Sequence, residues 1–354
     1  MQRFRHLALV VAVLLVNSVH AAAAQSFKIV TASPRGTYIQ IGRDLSTLVA
    51  PAAGVDLDVL PSAGSAENVR RLRYESGVKL AIVQSDVYQA FLDQATLGNS
   101  EAARIIKPLR VVMPLYNEEI YFLVRADSPM QFVHEIAPAR INLGELGSGT
   151  ALTTSTLFRL MFQRPVPDAN ATFLTNEEAL VKLIDDKSVD VVAVIAGQPA
   201  KLLVDMKPEA RQMIRLLRFD PSHPASQAAL KTYFPATVLA ANYPNLLSED
   251  LPALAVKAML VTYDYELRST KDSLVRFARA ICQNFGTLRD KGHPKWREVS
   301  LSLPDLGQGW FYYGATAREI SSCAAAQTAA QARPGRACSQ HERVLGLCET
   351  TASR

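Results

Sequence analysis

The stretch Leu60–Leu72, LPSAGSAENVRRL, carries the clearest structural signal in the chain. Before it, Val55, Leu57 and Val59 alternate with two aspartates, which is the pattern of a half-buried strand. Small, turn-prone residues follow, and then apolar residues recur at helical spacing. A helix that begins here leaves its first N–H groups unpaired and has the positive end of its dipole at the turn, where Gly64 has no side chain to keep a ligand away. The stretch predicts a strand, a turn that can bind an anion, and a helix.

A second turn of the same kind lies at residues 141–150, with the sequence INLGELGSGT. It lacks the Gly-Lys-Ser/Thr ending of a P-loop and is not a G-x-S-x-G elbow, which argues against a nucleotide site and a hydrolase nucleophile. One such turn by itself is more often an ordinary capped helix, whereas two copies favour a shared anion site. The candidate residues in the two turns are Gly64, Ser65, Asn68, Gly147, Ser148, Gly149 and Thr150.

Two further predicted strands also end in small or polar residues. The first, at 27–30, runs into a loop in which Arg35 either pairs with a ligand carboxylate or faces solvent, and Tyr38 either walls the site or packs into the core. The loop is not GxGxxG, so a dinucleotide site is not supported. In open α/β sheets the carboxyl ends of strands face the ligand crevice. The strand at 80–83 therefore adds three candidates, Gln84, Ser85 and Asp86. The alternative is that Ser85 or Asp86 simply caps the following helix.

The amino terminus has the organisation of an export signal. Arg3 and Arg5 precede ten apolar residues at 7–16, and four alanines at 21–24 suit a signal peptidase. We expect a signal peptide at 1–24 and a mature protein that is soluble and outside the cytoplasm, because no later apolar run is long enough to span a bilayer. The formal net charge is +5, and the basic residues are dispersed, which argues against nucleic acid as a partner.

The length of 354 residues and a hydrophobic fraction of 49% favour two α/β domains, because strands and helices alternate along most of the chain. Apolar strands predicted at 109–114 and 120–124 flank a polar interruption and suggest a crossing between the domains. Later segments, at 251–264 and 271–289, are predicted as helices. The predicted division is a first lobe of 25–115 with 233–320, a second lobe of 116–232, and a tail of 321–354.

Four cysteines suggest disulfides in an exported chain, and the sequence leaves all three pairings open. Most of them lie near the carboxyl terminus, so we expect a stapled tail rather than a core feature. Their spacing matches no zinc pattern, and we expect neither a metal nor a cofactor. The four residues are Cys282, Cys323, Cys338 and Cys348.

Four segments together resemble a known family. TASPRGTYIQIG, PSAGSAENVRRL, VQSDV and GELGSGT occur in the order and spacing found in the TAXI-type solute-binding subunits of tripartite ATP-independent periplasmic (TRAP) transporters. The resemblance covers residues 27–199 well and 233–313 loosely. The two Gly-Ser turns are fairly specific as a pair. The first loop differs from the usual pattern, since Pro34, Arg35 and a single Tyr38 stand where more glycine and often a double tyrosine occur.

The resemblance implies a two-lobed periplasmic-binding-protein fold, type II-like, with a hinge between the lobes and a ligand cleft at their interface. Such a protein is not an enzyme; it closes on a small organic anion, such as glutamate, a dicarboxylate or a 2-oxoacid, and delivers it to TRAP membrane permease subunits. Arg35 would favour a second acidic group on the ligand. The family's ligand contacts would fall at Thr31, Tyr38, Ser65, Asn68, Gln84, Ser85, Asp86, Ser148, Gly149 and Thr150.

Two other functions remain open on the sequence. The same fold could serve a periplasmic sensor or scavenger that presents its ligand to a signalling partner. An exported hydrolase would use Ser148 as its nucleophile and would need a nearby base. None of the histidines beyond the signal peptide lies in a triad-like context: His134, His223, His293 and His341.

Overall fold

The computed structural model describes residues 25–306 and 309–332. The predicted signal peptide and Cys338 and Cys348 lie outside these residues. The strands are β1 (Gln25–Val30), β2 (Val55–Leu60), β3 (Val78–Gln84), β4 (Leu109–Arg125), β5 (Ile141–Asn142), β6 (Ala171–Thr172), β7 (Val191–Ala196), β8 (Ile214–Leu216), β9 (Phe234–Val238) and β10 (Leu251–Tyr263).

Helices cover both faces of the sheet that these strands form. The α-helices are α1 (Thr37–Asp44), α2 (Ser65–Tyr74), α3 (Val87–Thr96), α4 (Ser100–Ile106), α5 (Gly149–Phe162), α6 (Asn176–Ile184), α7 (Lys201–Val204), α8 (Pro224–Ala229), α9 (Arg268–Gln283), α10 (Phe285–Lys291) and α11 (Gly314–Ala332). A π-helical turn at Leu45–Val49 prolongs α1, and short 3₁₀ segments occupy several loops, among them Pro294–Glu298.

One mixed sheet runs through the molecule in the order β2-β1-β3-β10-β4-β7-β5-β6, with β8 beside β4 and β9 beside β10. Strands β2, β1 and β3 are parallel to one another, and so are β7, β5 and β6. The long strands β4 and β10 run antiparallel between these two groups. Because β4 pairs with β10 from Leu109 and with β7 as far as Val124, it passes from one half of the sheet to the other.

Each half of the sheet has an apolar cluster on each face, which gives the molecule two lobes. In the first lobe, Phe277 and Trp296 belong to the cluster on one face of the sheet, and Phe91 belongs to the cluster on the other face. In the second lobe, Phe158 and Tyr121 lie in the corresponding clusters. The chain therefore has the two-lobed α/β fold that was predicted, with β4 and β10 crossing between the lobes.

The two crossing strands differ from their sequence-based predictions. The segments predicted as separate strands at 109–114 and 120–124 form one strand of 17 residues, because the polar residues between them keep the extended backbone. The helix predicted at 251–264 is wrong, since Leu251–Tyr263 is a strand. Its side chains are buried on both faces at the centre of the sheet, so the sequence is almost continuously apolar and shows no alternation.

The lobe boundaries stay a prediction, although the packing of one segment bears on them. Strand β9 pairs with the first part of β10, and Val238 and Leu251 belong to a cluster of the second lobe. Tyr233 and Val256 belong to the other cluster of that lobe. We propose that the chain returns to the first lobe near Lys257, later than the predicted return at 233.

Cys282 and Cys323 form a disulfide that ties α11 to α9. Cys282 is buried in the core of the first lobe, so this bond anchors the start of the tail to a core helix instead of stapling the tail to itself. None of the described helices combines the length and apolar composition that a membrane crossing requires.

Candidate ligand-binding cleft

A cavity of about 160 Å³ lies between the two lobes. The first lobe contributes the loop before α1 and the turn before α2, the second lobe contributes the starts of α5, α6 and α7, and Glu118 of β4 lies in the wall where the lobes join. An engineered cavity of about 150 Å³ in another protein holds one benzene molecule, so this space suits a guest of similar size.

The two small-residue turns lie face to face across this cavity. Gly64 has φ +127°, a conformation that side chains rarely adopt, and a Cβ added to it would lie 3.1 Å from the amide nitrogen of Gly149. The amide of Glu67 in α2 donates a hydrogen bond to the carbonyl of Gly147, at 3.1 Å. The backbones of the two lobes therefore touch without any intervening side chain.

Several helices begin at the cavity wall, and their first amides are available to a guest. Within the described residues, the amides of Ser65 and Ala66 in α2, and of Gly149 and Thr150 in α5, have no hydrogen-bond partner. Helices α1 and α6 also begin at the wall. Because each helix start has partial positive charge, their convergence makes the cavity attractive to an anion.

Arg35 bridges the two lobes at the rim of the cavity. Its guanidinium lies 3.1 Å from Asp205 and 3.7 Å from Glu177, both in the second lobe, and its side chain is about half exposed. Lys201 also pairs with Asp205, at 2.9 Å. These two cations already have carboxylate partners, so contact between Arg35 and a ligand stays a prediction.

Tyr38 and Glu118 form a buried pair on the cavity wall. The Tyr38 hydroxyl donates to Glu118 Oε2 at 2.6 Å. Burial raises the pKa of Glu118 to about 8; the hydrogen bond from Tyr38 opposes the shift, and the neighbouring carboxylate of Glu119 adds to it. Burial likewise holds the pKa of Tyr38 well above its ordinary value. Glu118 was not among the predicted site residues; its signal was the polar interruption within an apolar strand.

The structure brings eight of the predicted site residues to the cavity wall, and the other five do not line it. Thr31 and Asn68 are fully buried, and the Asn68 amide donates to the carbonyl oxygens of Thr31 and Ile82. Ser85 accepts a hydrogen bond from the Trp310 indole at its carbonyl. The residues on the wall are Arg35, Tyr38, Gly64, Ser65, Gln84, Ser148, Gly149 and Thr150, and those that do not line it are Thr31, Asn68, Ser85, Asp86 and Gly147.

Asp86 joins the lobes behind the cavity. Its carboxylate, at the end of β3, accepts hydrogen bonds from the Thr153 hydroxyl at 2.6 Å and from the Tyr233 hydroxyl at 2.9 Å, both in the second lobe. Burial raises the pKa of Asp86 to about 6, against the lowering effect of these two donors. Such an arrangement is internal to the protein and leaves a direct ligand contact at Asp86 as a prediction.

Residues 29–302 match the model of the NMT1-like family. The chain belongs to this family. Similar solved structures include XAC2383 from Xanthomonas citri bound to ATP, with a TM-score of 0.44, 12% identity, and coverage of 87% of this chain and 98% of that one. The arginine-bound form of truncated ArgBP from T. maritima has a TM-score of 0.43 and 9% identity, over 73% and 95% of the chains. The alkanesulfonate-binding protein SsuA from Xanthomonas axonopodis pv. citri bound to MOPS has a TM-score of 0.45 and 13% identity, with coverage of 85% of each chain.

In this NMT1-like protein, the Ser148 side chain caps the helix that it precedes. Its hydroxyl oxygen accepts a hydrogen bond from the Ala151 amide at 2.9 Å, which caps α5. Across the described residues, no hydrogen bond joins Ser148 to a histidine. His134 and His223 stack on each other instead, with ring centroids 3.8 Å apart. The same part of the chain contains no group of three His, Cys, Asp or Glu side chains suited to a metal ion.

Proposed function

We propose that this NMT1-like protein is an extracytoplasmic solute-binding protein that captures a small organic anion between its lobes. The observation that carries the proposal is the pair of helix starts, at Ser65 and Gly149, whose unpaired amides face one small cavity from opposite lobes. Two lobes that offer donors to one guest bind it with both sets only when they are closed, so the guest favours closure by that difference in affinity.

The magnitude of the interaction suits such a role. Hydrogen bonds to a charged group contribute about 1.5–3 kcal/mol each. Three or four of them, less the cost of ordering the lobes and the guest, would support binding at about −8 kcal/mol, which corresponds to roughly micromolar affinity. The guests that we propose are a five-carbon or smaller amino acid, dicarboxylate or 2-oxoacid, because the cavity has space for a molecule of about that size.

We further propose that the bound anion is delivered to TRAP membrane permease subunits and that the protein works in the periplasm. Support comes from the resemblance of four sequence segments to TAXI-type subunits and from the signal-like amino terminus. Within the site, we propose that the guest contacts Tyr38 and the amides at 65–66 and 149–150, while Asn68 and Asp86 hold the walls in place.

A calorimetric titration at pH 7 tests the binding function. The panel contains 2-oxoglutarate, glutamate and glutarate, with arginine as a cationic control of similar length. We expect at least one anion to bind with roughly micromolar affinity and to raise the stability by about 2.7 kcal/mol at a hundredfold excess over its dissociation constant. If none of the anions binds, or only arginine does, the anion proposal is wrong; turnover of an ester or amide probe would favour the hydrolase instead.

A further inference from the structure

Glu118 places a buried carboxyl group on the wall of a cavity whose helix N-termini attract anions. Its side chain is 3% exposed, lines the cavity, and receives one hydrogen bond, from Tyr38 to Oε2. The other oxygen, Oε1, accepts no hydrogen bond from any residue that the structure describes. A carboxyl group in this position needs either a proton or a cationic partner, because a buried unpaired charge is strongly disfavoured.

The charged and titratable groups around Glu118 do not supply that partner. Tyr38 on α1 and Tyr116 on β4 are neutral phenols whose pKa burial raises well above the ordinary value. Glu119 and Asp86 are carboxylates and disfavour a third negative charge. Lys295 is the nearby cation, and its ammonium lies 2.8 Å from both Glu119 and Glu298, so its charge is already shared.

The other charged groups of the cavity are also accounted for. Arg35 and Lys201 both pair with Asp205 at the rim. Glu145 and Glu177 line the rim and are exposed. An ionised Glu118 would therefore share a cavity of about 160 Å³ with an anionic guest and no unshared cation among the described residues. Two like charges so close repel each other strongly, and one of them has to be neutralised.

Resting on the proposed function, we propose that Glu118 is protonated when the guest is bound and donates a hydrogen bond from Oε1 to a guest oxygen. The occupied site then holds one anion together with one proton, and it selects carboxylates that have an oxo or hydroxyl oxygen at this position over those that have an ammonium group. Tyr38 is a positioning residue, since its hydroxyl holds Oε2 and leaves Oε1 directed at the guest.

The acidity of Glu118 sets the pH range of the effect. Burial raises its pKa to about 8, so the receptive form predominates at pH 7 and is lost as the pH rises through 8. Asp86 titrates lower, near 6, and both tyrosines titrate higher, so Glu118 is the group among these that changes charge between pH 7 and 9. The guest 2-oxoglutarate does not titrate in this range, which makes it the suitable probe.

The test is calorimetric titration of 2-oxoglutarate into the full mature chain from pH 6.5 to 9.5. We expect the affinity to fall about 30-fold across this range, and binding at pH 8 to take up about half a proton, measured in buffers of different ionisation enthalpy. Glu118→Gln is neutral at every pH and should show no pH dependence. Glu145→Gln, which removes an exposed carboxylate of the same cavity, is the matched control and should retain it.

Two further comparisons keep the inference testable if Glu118→Gln does not fold. Tyr38→Phe removes a donor that stabilises the ionised carboxylate, so the loss of affinity should begin at a higher pH. At pH 7, 2-oxoglutarate should bind more tightly than glutamate, which differs from it by an ammonium group. A flat profile for the wild type, or tighter glutamate binding with proton release, overturns this inference while leaving the anion-binding function intact. Absence of any anion binding at pH 6.5 overturns the function itself.

Discussion

Asp86 joins the two lobes through a single buried side chain. It lies at the end of a first-lobe strand, and its two hydrogen-bond donors, Thr153 and Tyr233, belong to the second lobe. One carboxylate oxygen, Oδ1, has no partner among the described residues. Burial raises the pKa of Asp86 to about 6. The carboxylate is therefore mostly charged at pH 7, although its buried surroundings favour the neutral form. Its ionisation therefore opposes the folded, closed arrangement.

The replacement Asp86→Asn tests this effect. A raised pKa means that the folded protein binds a proton where the unfolded chain does not, so the stability from this group is fully present below about pH 4 and lost as the pH rises through 6. The free energy of unfolding of the wild type, relative to Asp86→Asn, should rise by up to about 3 kcal/mol between pH 7 and pH 4. Denaturant titrations at both pH values measure this difference.

A surface carboxylate provides the control for that experiment. Asp58→Asn removes an exposed aspartate of β2 and should leave the pH dependence of the wild type unchanged. A constant difference between wild type and Asp86→Asn across the pH range would show that Asp86 has an ordinary pKa, and the claim that its ionisation opposes the closed arrangement would be wrong.

Sequence patterns located the residues that lie at chain turns and missed the one that depends on tertiary burial. Ser65 and Gly149 can be predicted from the local sequence pattern. A small-residue turn between a strand and a helix leaves unpaired amides whatever the tertiary arrangement of the lobes. The environment of Glu118 arises from Tyr38, 80 residues away in the chain, and from burial at the junction of the lobes. Neither is visible in a local window of sequence.

The pair of turns that begins α2 and α5 depends on glycine at the point of closest approach. A Cβ at Gly149 would lie 1.9 Å from Gln84 Oε1 and 2.6 Å from Ser65 Oγ, both in the opposite lobe. A methyl group at this position therefore forces the Gln84 and Ser65 side chains of the opposite lobe to move when the lobes are closed. It leaves the helix itself intact, since alanine is a better helix former than glycine.

We predict that Gly149→Ala weakens binding of the best anion of the panel by roughly 5- to 150-fold, because overpacking typically costs about 1–3 kcal/mol. Titration calorimetry measures the affinity, and small-angle scattering should show a larger radius of gyration than the wild type at saturating ligand. Gly286→Ala in α10 is the matched control, since a Cβ there meets nothing within 4 Å. Equal affinities for the two variants would contradict the close approach of the turns.

Element assignments failed where the signal of a strand depends on both of its neighbours. β10 lies between β3 and β4 and is buried on both faces, so its alanine- and leucine-rich sequence shows no alternation and reads as a helix. The interruption in β4 is polar because neither glutamate packs against apolar neighbours. Glu118 lines the cavity, and Glu119 pairs with Lys295. Both strands are crossing strands, and their patterns reflect the junction between the lobes rather than a single core.

At the scale of the whole molecule, polar contacts beside the cavity add to the buried Asp86 link between the lobes. The Thr37 hydroxyl donates to the carbonyl of Gly197 at 3.0 Å, and Arg35 reaches Asp205 and Glu177. Exposed ion pairs of this kind contribute little individually, because water and salt screen them and the long side chains lose freedom. Such contacts suit a reversible clasp: they favour the closed form without preventing release of the guest.

Asp205 and Asp186 allow the contribution of the rim to be measured. Each forms an ion pair with the lysine four residues earlier in the chain, Lys201 for Asp205 and Lys182 for Asp186. Asp205 also reaches Arg35 in the other lobe. Asp205→Ala should therefore raise the dissociation rate of the best anion about two- to fivefold, whereas Asp186→Ala should leave it unchanged. Stopped-flow measurements in 0.05 M and 1 M salt should show the effect shrinking as the shielding length falls to about 3 Å. Equal rates for the two variants in low salt would mean that the Arg35 bridge plays no part in holding the lobes together.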